Sequence, residues 1–180
     1  MAYANSILNQ IPSNGIRVST DGSALGNPGP SGAGLIVEIP AGYPCGPTEH
    51  ERAIALGDGT NNLGEFWAIA AATQLVEELH LPPNTPIYLL SDSLYAIGSI
   101  TEGWNLNNTL HQDILNYIRT RLDSSKLKWH LNWIPGHAGI PSNETADQAA
   151  VRGSQRSKRG KGFTNLHNQV RFHQFLSQLP

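Results

Sequence analysis

The chain is predicted to fold as an α/β domain, a five-stranded mixed sheet of three antiparallel strands and then two parallel ones, flanked by helices. Three observations carry this expectation. Residues 16–56 hold three short apolar stretches separated by Gly- and Pro-rich turns, the pattern of an antiparallel meander. From Asn62 onward, apolar residues recur every three or four positions, which is the helical period. Between those helical patterns stand two short strand-like runs, as parallel strands joined by helical crossovers require.

Taken in order, Ile16, Val18 and Thr20 alternate with Arg17, Ser19 and Asp21 before the turn-rich stretch 26–30, giving a first strand. Apolar runs at 33–39 and 49–56, each bounded by Gly or Pro, give the second and third. Over 62–80, Leu63, Phe66, Ala70, Thr73 and Val76 share one helical face, and Pro82 and Pro83 stop the pattern. The nearly continuous apolar run 87–93 reads as a buried fourth strand. Leu110, Ile114, Ile118 and Leu122 repeat every four residues as a second helix, and Leu127, Trp129, Leu131 and Trp133 alternate as a fifth strand. Pro141 and Ser142 open a last helix, with Ser142 expected at its N-cap. The predicted order is βββαβαβα.

Composition limits what such a domain can be. With 180 residues, 39% hydrophobic and 14% charged, the chain suits one globular domain and excludes wholesale disorder, collagen and coiled coil. It has no apolar run of about 18 residues, so no membrane association is expected. The opening MAYANSILNQIPSNG lacks the charged and apolar segments of a secretory signal, and Cys45 is the single cysteine. An intracellular setting is expected, with cytoplasm and nucleus both open. Residues 1–151 carry six basic and 14 acidic side chains, net −8, whereas residues 152–180 carry six basic and none acidic, net +6. The organisation expected is an N-terminal extension at 1–15, a domain at 16–152, and at 153–180 a basic linker with a possible helical pattern from Phe163.

The chemistry is placed on carboxylates. Asp21 ends the first strand, Glu65 lies in the first turn of the first helix, Asp92 ends the fourth strand, and Asp147 belongs to the last helix. If the first and fourth strands are parallel neighbours, Asp21 and Asp92 emerge side by side at the carboxyl edge, where open α/β sheets bind ligands. Carboxylates without a cysteine or histidine cluster suit hard cations such as magnesium or manganese. Singly, acidic residues at strand ends and first helical turns are common as caps and dipole partners. His137, within PGHAG, has the composition of a surface loop.

Four motifs in this order resemble the type 1 ribonuclease H family. TDGSALGNPGPSGAG at 20–34, TNNLGE at 60–65, LLSDSLYAI at 89–97 and WIPGHAGIPSNETAD at 133–147 are similar to its first strand and turn, its TNN-x-x-E box, its TDS segment and its GHxGxxxNExAD block. The resemblance implies a ribonuclease H-like fold and two-metal cleavage of the RNA strand of RNA/DNA hybrids, leaving 5′-phosphate and 3′-hydroxyl ends. It implies two Mg2+ ions, with Mn2+ a possible replacement. Asp21 would bridge both, Glu65 and Asp92 would hold the ion nearer the leaving group, and Asp147 the ion that activates water. His137 would assist water activation or product release. Backbone at Gly22 and Ser23 would meet the ribose 2′-hydroxyl, Asn61 and Asn62 the minor groove, and Asn27 and Thr60 a phosphate of the DNA strand.

Departures from the family pattern accompany these matches. Leu94 stands where a polar groove contact is frequent, and Asp58 where a basic phosphate contact is common. The stretch 103–110 is too short and neutral for the family's basic protrusion, and with about 15 residues before the first strand no separate hybrid-binding domain is expected there. Arg152, Arg156, Lys158, Arg159 and Lys161 offer either a phosphate-binding arm or a solvated linker. The block at 133–147 and the missing protrusion look most like domains attached to retroelement reverse transcriptases or their eukaryotic relatives, so the chain is expected to be a monomer or part of a larger polyprotein. A hybrid-binding module without catalysis is the alternative. A proofreading exonuclease is disfavoured, because Asp21-Gly22-Ser23 holds one carboxylate where that class carries an acidic pair.

Overall fold

The computed structural model describes residues 2–104, 106 and 108–159. Strands β1 (Ile16–Ala24), β2 (Gly29–Ile39), β3 (Thr48–Gly59), β4 (Pro86–Ser91) and β5 (Lys128–Trp133) form one sheet in the order β3-β2-β1-β4-β5. β1–β2 and β2–β3 pair antiparallel, and β1–β4 and β4–β5 pair parallel, as the meander and the crossovers predict. The helices are α1 (Ala2–Gln10), α2 (Asn61–Glu78), α3 (Leu94–Thr101), α4 (Thr109–Ser124) and α5 (Pro141–Lys158). Among the described residues no helix is long and apolar enough to cross a membrane.

Alternation sorts the sheet into two faces. Ile16, Val18, Leu35, Val37, Ile87 and Leu89 point to one side and pack with Phe66, Trp67 and Ile69 of α2 and Ile114 and Ile118 of α4. α2 is buried along most of its length, from Leu63 to Val76, because it lies between the sheet and α4. The other face carries Leu90, which clusters with Ile134, Ile140 and with Ile7, Leu8 and Ile11 from the N-terminal segment. α5 covers the rest of that face, lying across β1, β2 and β3.

The approach of α5 to β2 is set by small residues. A Cβ on Gly34 would lie 2.0 Å from the Ala146 carbonyl oxygen, and one on Gly32 would lie 2.3 Å from the Ser154 nitrogen. Gly153 on the helix meets Ile54 and Gly32 in the same way, and Ala146, Ala149 and Ala150 fill the seam. Helix backbone therefore rests on strand backbone.

The structure corrects the sequence reading at five places. The extension at 1–15 contains α1, which at nine residues is too short to hold alone in water and is kept by the packing of Ile7 and Leu8 on the cluster around Leu90. α3 was not anticipated; at eight residues it is too short for a periodic signal, and the Ser93 hydroxyl starts it by accepting from Ala96 N at 3.2 Å. β2 and β3 extend beyond their apolar runs, since their ladder continues to the Gly29–Gly59 pair. Ser142 is not the N-cap: Ile140 holds that position, Pro141 opens the helix, and the Ser142 hydroxyl accepts from Ser19 Oγ at 2.9 Å. Residues 153–158, read as linker from their Gly, Ser and basic content, continue α5, because the close seam needs small residues there. Lys161 and the helical pattern from Phe163 lie outside the described residues.

Candidate active site

Asp21 sits near the carboxyl end of β1, paired in parallel register with β4, whose chain leads directly to Asp92. The side chain of Asp21 is 7% exposed, and its Oδ1 accepts a hydrogen bond from Gly22 N at 2.8 Å. Gly22 explains how Glu65 arrives. A Cβ there would fall 2.4 Å from Glu65 N and 2.6 Å from Asn61 O, so only a glycine lets the first turn of α2 touch the strand. Thr60 starts that turn by accepting from Leu63 N at 3.2 Å, and Asn27 Oδ1 accepts from Asn61 N at 3.3 Å. The turn after β1 is thereby tied to the α2 N-terminus.

Asp21, Glu65 and Asp92 each offer an oxygen lying within 4.8 Å of the other two. Asp147, from α5, lies outside this mutually close set but near enough to Asp21 to raise its proton affinity, the least of the influences on it. Two further contacts fix Asp92. Gly136 approaches so closely that a Cβ would lie 2.7 Å from Asp92 Oδ2, and Trp133 Nε1 donates to the Asp92 backbone carbonyl at 3.0 Å.

Crowding and burial raise the proton affinity of these acids. Burial first, and the neighbouring Asp92 charge second, push Asp21 up to about 7, while its hydrogen bonds from Glu65 and Gly22 pull the other way. Glu65 is raised well above the usual range by burial and then by Asp21 and Asp92. Asp92 is raised by burial, opposed chiefly by the Asn143 side chain that hydrogen-bonds it and less by His137. Without a cation the cluster repels itself.

A hard divalent cation answers that repulsion. Glu65 Oε2 is buried with no hydrogen-bond partner among the described residues, an acceptor in want of positive charge. An all-oxygen set of carboxylates suits Mg2+ or Mn2+ rather than zinc. The residues present therefore fit the cation that the sequence implies.

The other predicted residues fall around this centre. Gly22 and Ser23 are adjacent to it on β1, although the Ser23 hydroxyl turns to Ser154 at 3.3 Å. Asn61 and Asn62 are exposed at the start of α2, beside Asn27 and Thr60. His137 is exposed on the loop before α5 and is near enough for its charge to act on Asp92. Leu94 is 52% exposed at the start of α3, two residues from Asp92. Asn143 was missed by sequence reasoning. It is 4% exposed, its amide serves Asp92, and its Oδ1 has no partner among the described residues. The signal was there, as the Asn of the SNETAD stretch one helical turn before Asp147.

Fold and site together define a class of α/β protein with a mixed five-stranded sheet and an acidic centre suited to a hard cation. The profile of the RNase H family matches residues 13–155. A ribonuclease H from Dechloromonas aromatica is 33% identical, over 79% of this chain and 95% of that protein. Among solved structures, RNase H1 from Halobacterium salinarum superposes with a TM-score of 0.64 at 25% identity, over 78% of this chain and 97% of that one. LC11-RNase H1, solved in complex with an RNA/DNA hybrid, shares the fold with a TM-score of 0.63 at 21% identity, over 76% of this chain and 97% of that one. The chain belongs to the RNase H family and is an enzyme of the ribonuclease H type.

Proposed function

We propose that this protein cleaves the RNA strand of RNA/DNA hybrids, leaving 5′-phosphate and 3′-hydroxyl ends, with Asp21, Glu65, Asp92 and Asp147 holding two magnesium ions. The observation that carries the reading is the convergence of three mutually close carboxylates, with Asp147 near Asp21, at the carboxyl end of the sheet. When bound, such ions supply a nucleophilic water and stabilise charge on the phosphodiester. Water adds to phosphorus, the bond to the 3′-oxygen breaks, and that oxygen leaves as a hydroxyl after taking a proton. His137 assists at the water or at the departing product. Manganese is the proposed substitute metal, since the same oxygen set accepts it.

Substrate choice falls to groups around the cluster. Backbone at Gly22 and Ser23 meets the ribose 2′-hydroxyl, the group by which a protein distinguishes RNA from DNA. Asn61 and Asn62 contact the minor groove, and Asn27 with Thr60 receives a phosphate of the DNA strand. Support for the substrate comes from the family, from the four motifs, and from the neighbour solved with a hybrid bound.

The test is cleavage of an end-labelled RNA/DNA hybrid by wild type and Asp21→Asn, with Mg2+ or chelator, beside duplex DNA, duplex RNA and single strands. Metal-dependent cutting confined to the hybrid and absent in the variant is expected. Tight binding without cutting would replace the enzyme by a binding module, and cutting of single-stranded DNA ends would replace it by an exonuclease.

A further inference from the structure

We infer that the C-terminal turn of α5, through Lys158 and Arg159, grips backbone phosphates of the hybrid where it passes the β2–β3 end of the sheet. The inference rests on the substrate proposed above. It begins from the charge imbalance: residues 1–151 are net −8, a poor surface for a polyanion, and the basic residues gather after Val151.

The structure divides those basic residues by task. Arg152 forms an ion pair with Glu51, and Arg156 donates to the Ala53 carbonyl at 2.9 Å, so both fasten α5 to β3. Lys158 and Arg159 are exposed and make no ion pair among the described residues.

Their location is fixed by Ser157. Its hydroxyl donates to the Ser31 carbonyl at 2.6 Å and accepts from Gly57 N at 2.9 Å, locking the last helical turn onto the β2–β3 ladder. From Gly57 the chain reaches Thr60 in three residues, a span of at most about 11 Å. Thr60, with Asn61 and Asn27, forms the corner proposed to hold a phosphate. That span is short enough for the two places to meet neighbouring phosphates of one strand. Asp58, exposed on the same edge, repels a phosphate. Two unpaired cations beside it reverse the sign of that edge. Basic residues at a helix C-terminus also complement the macrodipole, but that role acts on stability and leaves binding untouched.

The experiment measures affinity for an RNA/DNA hybrid across a salt series, in the Asp21→Asn background so that the RNA stays intact. Lys158→Ala/Arg159→Ala is compared with Lys126→Ala/Lys128→Ala, which removes two charges at the β5 side of the sheet. The first pair should flatten the slope of log K against log salt by about 1.4 to 1.8, and the second should leave it unchanged. In otherwise wild-type enzyme the first pair should raise KM while kcat holds. Adding Asp58→Asn to the first pair should recover affinity by about twofold to fivefold. An unchanged slope with the first pair, an equal fall with both pairs, or no effect of Asp58→Asn would overturn the inference. Wild-type cleavage of the hybrid is read separately, so loss of the tail contact and loss of the substrate assignment give different results.

Discussion

The two helices that carry carboxylates to β1 are fastened by different means. α2 is held by bulk: Phe66, Trp67 and Ile69 are fully buried and spread its contact over a wide apolar layer. α5 is held by the absence of bulk, with Gly32 and Gly34 letting helix backbone rest on strand backbone. Only at its first turn, where Gly22 meets Gly64, does α2 come equally close. Side chains yield to small changes, whereas backbone on backbone does not. Glu65 thus sits on a helix that tolerates repacking behind it, and Asp147 on one whose height above the sheet is fixed. Both acids converge on Asp21.

The largest expected effect is at that point of convergence. Asp21→Asn should lower cleavage by about a thousandfold or more, because several kcal/mol of charge stabilisation are lost with one ligand. The same change should raise the melting temperature in chelator, since it removes a member of a self-repelling cluster. Activity loss with a lower melting temperature would mean that Asp21 acts as a structural residue.

Next comes the seam itself. Gly34→Ala should cost about 3 kcal/mol, at the upper end for overpacking, because the Ala146 carbonyl it meets at 2.0 Å cannot swing aside. Ile69→Val, within the wide layer, should cost only about 1 kcal/mol and leave cleavage intact. Urea unfolding reads both as a fall in midpoint at constant slope. Equal costs at the two positions would erase the distinction between the helices.

A smaller effect separates cluster from scaffold by pH. Asp21 binds its proton up to about 7 in the folded state, against 3.8 for the ordinary side chain. Between those values the folded chain retains a proton that the unfolded chain releases, so stability falls as pH rises from about 4 to 7 and levels above. Glu65 and Asp92, also raised, add in the same direction. In chelator the melting temperature should drop by at least about 5 °C over that range, and saturating Mg2+ should flatten the curve. A flat curve in chelator would mean that neither burial nor the neighbouring acids raise these carboxyls.

Much of this was legible in sequence, for reasons that can be traced. Alternation announces β1 and β5, short apolar runs bounded by turn residues announce β2, β3 and β4, and a three-to-four period announces α2 and α4, because burial dictates each pattern. All four carboxylates were placed by motif order. What stayed hidden depends on contacts distant along the chain. The seam under α5 made Gly153 and Ser154 look like linker, although small size there is a packing requirement. Ser142 has the side chain of a cap, but its hydroxyl is taken by Ser19, 123 residues away. Asn143 reads as one polar residue among several until Asp92 is beside it.

The smallest effect is expected at His137, which belongs to neither helix. It lies on the exposed loop that leads into α5, with φ of 52°, flanked by Gly136 and, two residues on, by Gly139 with φ of 73°. A non-glycine residue in that region of backbone space is uncommon, and here it coincides with a side chain whose charge acts on Asp92. Such a residue assists at the cluster without building it. His137→Ala should slow kcat by about tenfold to a hundredfold, at or below the lower end for a proton-transfer group, and should leave the chelator melting temperature unchanged. Abolished cleavage would make His137 as necessary as Asp21. An altered melting temperature would show that the loop supports α5, and with it the fixed height of Asp147.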